Sequence, residues 1–100
     1  MDPAGLPAIQ DAVRHLHGCE STFVESVPIR EEFQGQPVWV GEVQVLDLIG
    51  HPKAKRAYAW SYATTGTKRK FVAVLELDPV RDARTAVQAA MVAQFNKIQN

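Results

Sequence analysis

The sequence predicts an α+β domain: a four-stranded antiparallel meander between an N-terminal and a C-terminal helix, both packed on one face. Three observations lead there. The chain has 100 residues, 46% apolar and 22% charged, the size and composition of one domain with a core of its own. Apolar residues recur at helical spacing near both ends and alternate between them. The turn signals that interrupt the alternation are two to four residues long, too short for the crossovers that parallel strands need. A single domain over residues 1–100 is expected, with residues 1–5 and 99–100 frayed.

In "LPAIQDAVRHLHG", Leu6, Ile9, Val13 and Leu16 form one helical stripe, Pro7 is tolerated in the first turn, and Gly18 is a natural stop. "TFVESVPIREEF" reads as the first strand. Its Pro28 donates no ladder hydrogen bond, which confines it to an edge or a bulge. Gln34-Gly35-Gln36 is expected as a three-residue loop with Gly35 left-handed, which turns Phe23, Val27, Ile29 and Phe33 toward the face of Trp39. "VWVGEVQVLDLI" follows. A four-residue loop at Gly50–Lys53 then pairs Ile49 with Ala54, Asp47 with Arg56, Val45 with Tyr58 and Val43 with Trp60. After "AKRAYAWSYAT", a two-residue turn at Thr65-Gly66 pairs Trp60 with Phe71 and Tyr58 with Ala73 in "RKFVAVLEL". Asp78-Pro79 signals the start of a second helix, about Arg81 to Ile98, rich in Ala and burying Ala83, Val87, Ala90, Met91, Phe95 and Ile98.

Alternation divides the sheet into two faces. One collects Trp39, Val43, Val45, Ile49, Tyr58, Trp60, Phe71, Leu75 and Leu77. It is the heavier and should carry the helices. The other collects Val38 together with Val40, Leu46, Ala57, Ala59, Ser61, Ala63, Val72 and Val74, the last eight forming a flat, small-residue surface. A lone domain rarely leaves such a surface open, so it is the expected meeting face of a homodimer.

Net charge is zero but unevenly spread. Residues 1–50 carry eight acids against Arg14 and Arg30, and residues 51–100 carry nine bases against Glu76, Asp78 and Asp82, giving −6 and +6. Pairing of the halves, within one chain or between two, accounts for this. Nucleic acid is the alternative partner, through Lys53, Lys55 and Arg56 at one end of the sheet and Lys68, Arg69 and Lys70 at the other. That separation, and the core role expected of Tyr58 and Trp60, argue against a stacking platform.

Chemistry-bearing motifs are few. His15, His17 and Cys19 form H-x-H-x-C, but on a helix only His15 and Cys19 share a face, and no second cluster completes a metal site. Cys19 with His15 or His51 lacks an oxyanion hole and an orienting third group. There is no phosphate-binding loop and no catalytic serine motif. No cofactor or metal is implied, and an enzyme would need a site assembled between subunits. The N-terminus lacks the basic and apolar regions of a signal peptide, and one cysteine makes no internal disulfide, so the cytoplasm is the expected location. The leading expectation is a non-enzymatic domain that self-associates and binds a protein partner or small ligand.

Overall fold

The computed structural model describes residues 6–63, 66 and 68–99, the side chains of Phe33, Ala63 and 94–99 excepted. In order come α1 (Leu6–His17), β1 (Glu20–Phe33), β2 (Gln36–Ile49), β3 (Arg56–Ala63), β4 (Arg69–Leu75) and α2 (Ala83–Gln99). The strands form one antiparallel sheet in the order β1-β2-β3-β4, so the expected element order and meander are both present. Of the ends expected to fray, residues 1–5 and 100 lie outside the described residues, while Gln99 closes α2.

Leu6, Ile9 and Val13 bury the α1 stripe, but Leu16, its fourth member, is 54% exposed. Gly18 ends the helix at φ +70°, its N–H donating to the Arg14 carbonyl at 2.8 Å. The Arg14 guanidinium holds Asp11 and Glu20, fastening the helix end to the start of β1.

The β1–β2 turn differs from the expected loop. Phe33 pairs with Gln36, leaving only Gln34 and Gly35, both at positive φ, between them. Parity is restored by a bulge at Val38, because Glu32 pairs with Pro37 and Glu31 with Trp39. Val27 and Ile29 therefore still share the face of Trp39. A second bulge at Val24 sets Phe23 opposite Leu46, on the other face from the one expected.

The β3–β4 register also differs, by one residue: Trp60 pairs with Val72 and Tyr58 with Val74. Ala63 pairs with Arg69, so five residues connect the strands where two were expected, and the odd length inverts β4. Thr64, Thr65 and Thr67 of that connection lie outside the described residues.

The largest departure concerns the helices. They lie on opposite faces, not on one. Helix α2 packs on Ile29, Val43, Val45, Tyr58 and Trp60 through Ala83, Ala86 and Val87. Helix α1 packs on Leu46 and Ala59, flanked by Phe23, Leu48 and Ala73. Val45 and Leu46 are successive strand residues, as are Tyr58 and Ala59, so their side chains point to opposite sides. The alanines are small because a helix backbone approaches there. Ala57, Ala59 and Leu46 are at most 1% exposed, so the middle of the face expected between two subunits is closed from within the chain.

Helix α2 begins at Ala83 rather than Arg81 because its cap is Asp82, not Asp78-Pro79. Asp82 Oδ1 accepts the Thr85 N–H at 2.8 Å, and Thr85 Oγ1 accepts the Asp82 N–H at 3.0 Å, a reciprocal capping pair. Ala83 and Val87 are buried and Ala90 and Met91 half-buried, as expected; Phe95 and Ile98 lie outside the described side chains.

Candidate functional site

Two of the concave regions beside α2 follow from how β3 meets its neighbours. The first is polar. Tyr58 is 3% exposed, and its hydroxyl lies within reach of the Glu76 carboxylate and of the Arg81 carbonyl at 3.1 Å. Burial, then the hydrogen bond to Glu76, hold the phenol well above its ordinary pKa. Around it, Arg56, Arg81, Arg84, Glu25, Glu76 and Asp82 line a basin of about 420 Å³. Three cations face three carboxylates there. Arg56 is taken by Asp47 at 2.9 Å and Arg84 by Glu31 at 3.1 Å, so the basic half of the chain pairs with the acidic half inside the molecule. The basin works as a clasp at the start of α2.

The second region is aromatic. The β2–β3 ladder runs from Asp47↔Arg56 to Gln44↔Ala59 and stops, so the expected Val43–Trp60 pair does not form. Gln44, which closes the ladder, is buried and accepts the Ser26 hydroxyl at 2.5 Å. Beyond it no ladder pair joins the two strands. Trp39 and Trp60 bridge the gap edge to face, with ring centroids 5.5 Å apart at 77°, a geometry worth about 0.5–1.5 kcal/mol beyond area burial. Gly41 makes room for this: a Cβ there would sit 3.2 Å from the Trp39 indole. With Tyr62, Val72, Val87, Ala90 and Met91, the two tryptophans line a notch of about 300 Å³. Among the described residues, no protein group takes the indole N–H of Trp39 or Trp60 or the Tyr62 hydroxyl. An apolar cleft with a few open polar groups is the usual form of a ligand site.

The residues singled out in the sequence fall elsewhere. Leu46 and Ala59 lie under α1, and Ala57, paired with Leu46, is buried. Val72 and Val74 belong to the α2 face through the shifted register. Ser61 is half-buried and accepts from the Arg69 guanidinium at 3.0 and 3.1 Å. Val40 is 66% exposed, and the Ala63 side chain is outside the described set. Lys53 and Lys55 stand exposed in the β2–β3 loop, where His51 Nδ1 accepts the Lys53 and Ala54 N–H groups. Lys68, Arg69 and Lys70 are exposed by the other end of β3, about 23 Å away at ~3.3 Å per residue. His17 Nε2 bonds the Ala73 carbonyl at 3.0 Å while His15 faces out, so the H-x-H-x-C residues do not converge. Phe71, expected beneath a helix, is 36% exposed.

The notch is hard to read in the sequence because strand-forming residues continue through Val38–Val40 and Trp60–Tyr62, past the point where the ladder ends. The available signal was Gly41 two residues after Trp39, a bare strand position on the tryptophan's own face. Comparison with protein families, curated proteins and solved structures found no match. Among the described residues, no helix is long and apolar enough to cross a membrane.

Proposed function

We propose that this chain is a non-enzymatic binding domain that takes a flat or aromatic apolar group of a ligand in the notch between β2 and β3. One observation carries the reading: the sheet stops pairing at Gln44–Ala59 while both strands continue, and the space so made is lined by Trp39, Trp60, Tyr62 and Met91. Aromatic walls give a ring its contact area. Met91 lets the wall adapt, since its thioether side chain is flexible and polarisable. The indole and phenol hydrogens supply direction to an acceptor on the ligand. Nothing in this arrangement supplies a nucleophile or a base, so binding rather than turnover is the role it supports.

The two indole N–H signals in a nitrogen-15 correlation spectrum report on the site directly, with Trp39→Phe assigning them. N-acetylphenylalaninamide, a ring with amide acceptors, should shift both signals, and Met91→Trp, which fills the notch, should abolish the shifts. Indole signals that stay fixed up to millimolar probe would overturn the reading.

A further inference from the structure

We infer that the natural occupant of the notch is an extended peptide segment of a partner protein, added as a strand along the inner edge of β2 from Val38 to Glu42. The inference rests on the binding role proposed above and names its ligand class.

Backbone accounting comes first. Strand N–H and C=O groups are paired almost without exception once desolvated. The pairs Gln44↔Ala59 and Leu46↔Ala57, with the Leu48 N–H on the Lys55 carbonyl, show that even-numbered residues of β2 turn their backbone toward β3. Glu42 and Val40 continue that phase beyond the last ladder pair. A ring compound can fill the notch but cannot match a row of alternating donors and acceptors. A strand can.

The outer edges of β1 and β4 are guarded over part of their length. On the outer edge of β1, Pro28 lies opposite Glu42, in the phase that faces away from β2, so its missing N–H removes an outward donor. The bulge at Val24 bends the same edge. On β4, the Glu76 N–H bonds the Arg56 carbonyl, which turns Leu75 and Ala73 outward in alternation. Their carbonyls are already taken, by the Leu77 N–H at 2.9 Å and by His17 at 3.0 Å. From Val38 to Gly41 the inner edge has neither proline nor charge; the bulge at Val38 and the charge of Glu42 mark its two ends.

Side chains complete the match. Val40 is 66% exposed on one face and Val38, in the bulge, is 48% exposed, while Trp39 lines the notch on the other face from Val40. An added strand, alternating likewise, would cover Val40 with one set of side chains and seat an aromatic or long aliphatic one in the notch. Lys70 of β4 is exposed and lies opposite Tyr62 of β3 at the notch wall, which favours an acidic residue beside that anchor.

The test uses a synthetic peptide of alternating Val and Thr with a central Phe and a neighbouring Asp. Its controls are the same peptide N-methylated at alternate residues and N-acetylphenylalaninamide. The peptide should slow hydrogen exchange of the Val40 and Glu42 amides and shift both indole signals. N-methylation, removing two or more hydrogen bonds, should weaken binding about tenfold or more. Val40→Pro, checked for folding by circular dichroism, should lose the peptide but keep the small probe; should it not fold, the N-methylated peptide still decides. If the N-methylated peptide binds as well as its parent, the strand inference fails while the aromatic site survives. If no probe moves the indole signals, both fail. If the Val40 and Glu42 amides respond only to dilution of the protein itself, the edge belongs to a second copy and the partner peptide is overturned.

Discussion

Ala59→Arg tests the arrangement on which everything else depends, the seating of α1 on the small-residue face. Ala59 is 1% exposed and lies in one cluster with Leu6, Ile9, Val13 and Leu46. An arginine there has no carboxylate in that cluster to meet, and an unpaired buried charge is not tolerated. The helix must lift. Lifting exposes Leu6, Ile9 and Val13, each worth about 1.5–3 kcal/mol, or roughly 5–9 kcal/mol together. That is most of the roughly 5–15 kcal/mol holding an ordinary domain together. The variant should therefore lose at least about 3 kcal/mol and fail to fold or shed α1. Urea unfolding followed by far-ultraviolet circular dichroism reads this directly. With a slope of about 1–1.5 kcal/mol per molar, the midpoint should fall by about 2–3 M. Val40→Arg is the control, on the same face but 66% exposed, and should stay within about 0.5 kcal/mol of wild type. A folded Ala59→Arg protein with an unchanged midpoint would refute the packing of α1 and reopen that face to a second subunit.

Trp60→Ala should cost about 3–5 kcal/mol in the same assay, because Trp60 is 4% exposed under α2, whereas Phe71→Ala should cost less than half as much. Equal losses would contradict the shifted β3–β4 register. Gly41→Val places a branched side chain where the Trp39 indole lies, so Trp39 emission should move toward that of solvated indole while the fold persists; unchanged emission in a Trp60→Phe background would contradict the contact. Stability should also fall at both pH extremes. Asp82 is held below its usual pKa by the Thr85 N–H, then by the Thr85 hydroxyl, and Glu20 by Arg14. Below about pH 4 the unfolded chain takes up those protons first, and the stabilisation fades. Tyr58 is held above its usual value, so its contribution is complete below about pH 10 and is lost as pH rises further. Tyr58→Phe should flatten the alkaline limb of a pH–stability curve, and an unchanged limb would exclude Tyr58 as its source.

Element type and order were legible because helical and alternating spacing are local properties. The β2–β3 register was legible for the same reason, since four residues from Gly50 to Lys53 set it. What depended on counting residues through irregular backbone was not. Two bulges, at Val24 and Val38, moved Phe23 to the other face and kept Val27 and Ile29 in place despite a shorter turn. A five-residue connection instead of two exchanged Val72 and Val74 for Phe71 and Ala73. The faces themselves were sorted correctly within β3, yet alternation does not say which face a helix covers when both are apolar. Ala57 and Ala59 fit a helix contact and a subunit contact equally well, because each requires small side chains.

The early end of the β2–β3 ladder has a physical cause that ties it to the sequence. The β1–β2 hairpin is long, with 14 residues in each strand, and carries both bulges, while β3 has eight residues and β4 seven. Bulges raise local twist, so the far half of the hairpin turns out of the plane that the shorter strands can follow. The bulge at Val38 falls at the end where the ladder has already stopped. Trp39, next to it, then folds back over Gly41 toward Trp60, filling the wedge from one side with rings and leaving the edge beside it unladdered. A regular strand with alanine at 41 would crowd that indole and weaken the wedge. Local rules of sheet regularity are thus broken together at Val38, Trp39 and Gly41, beside the notch proposed as the binding site.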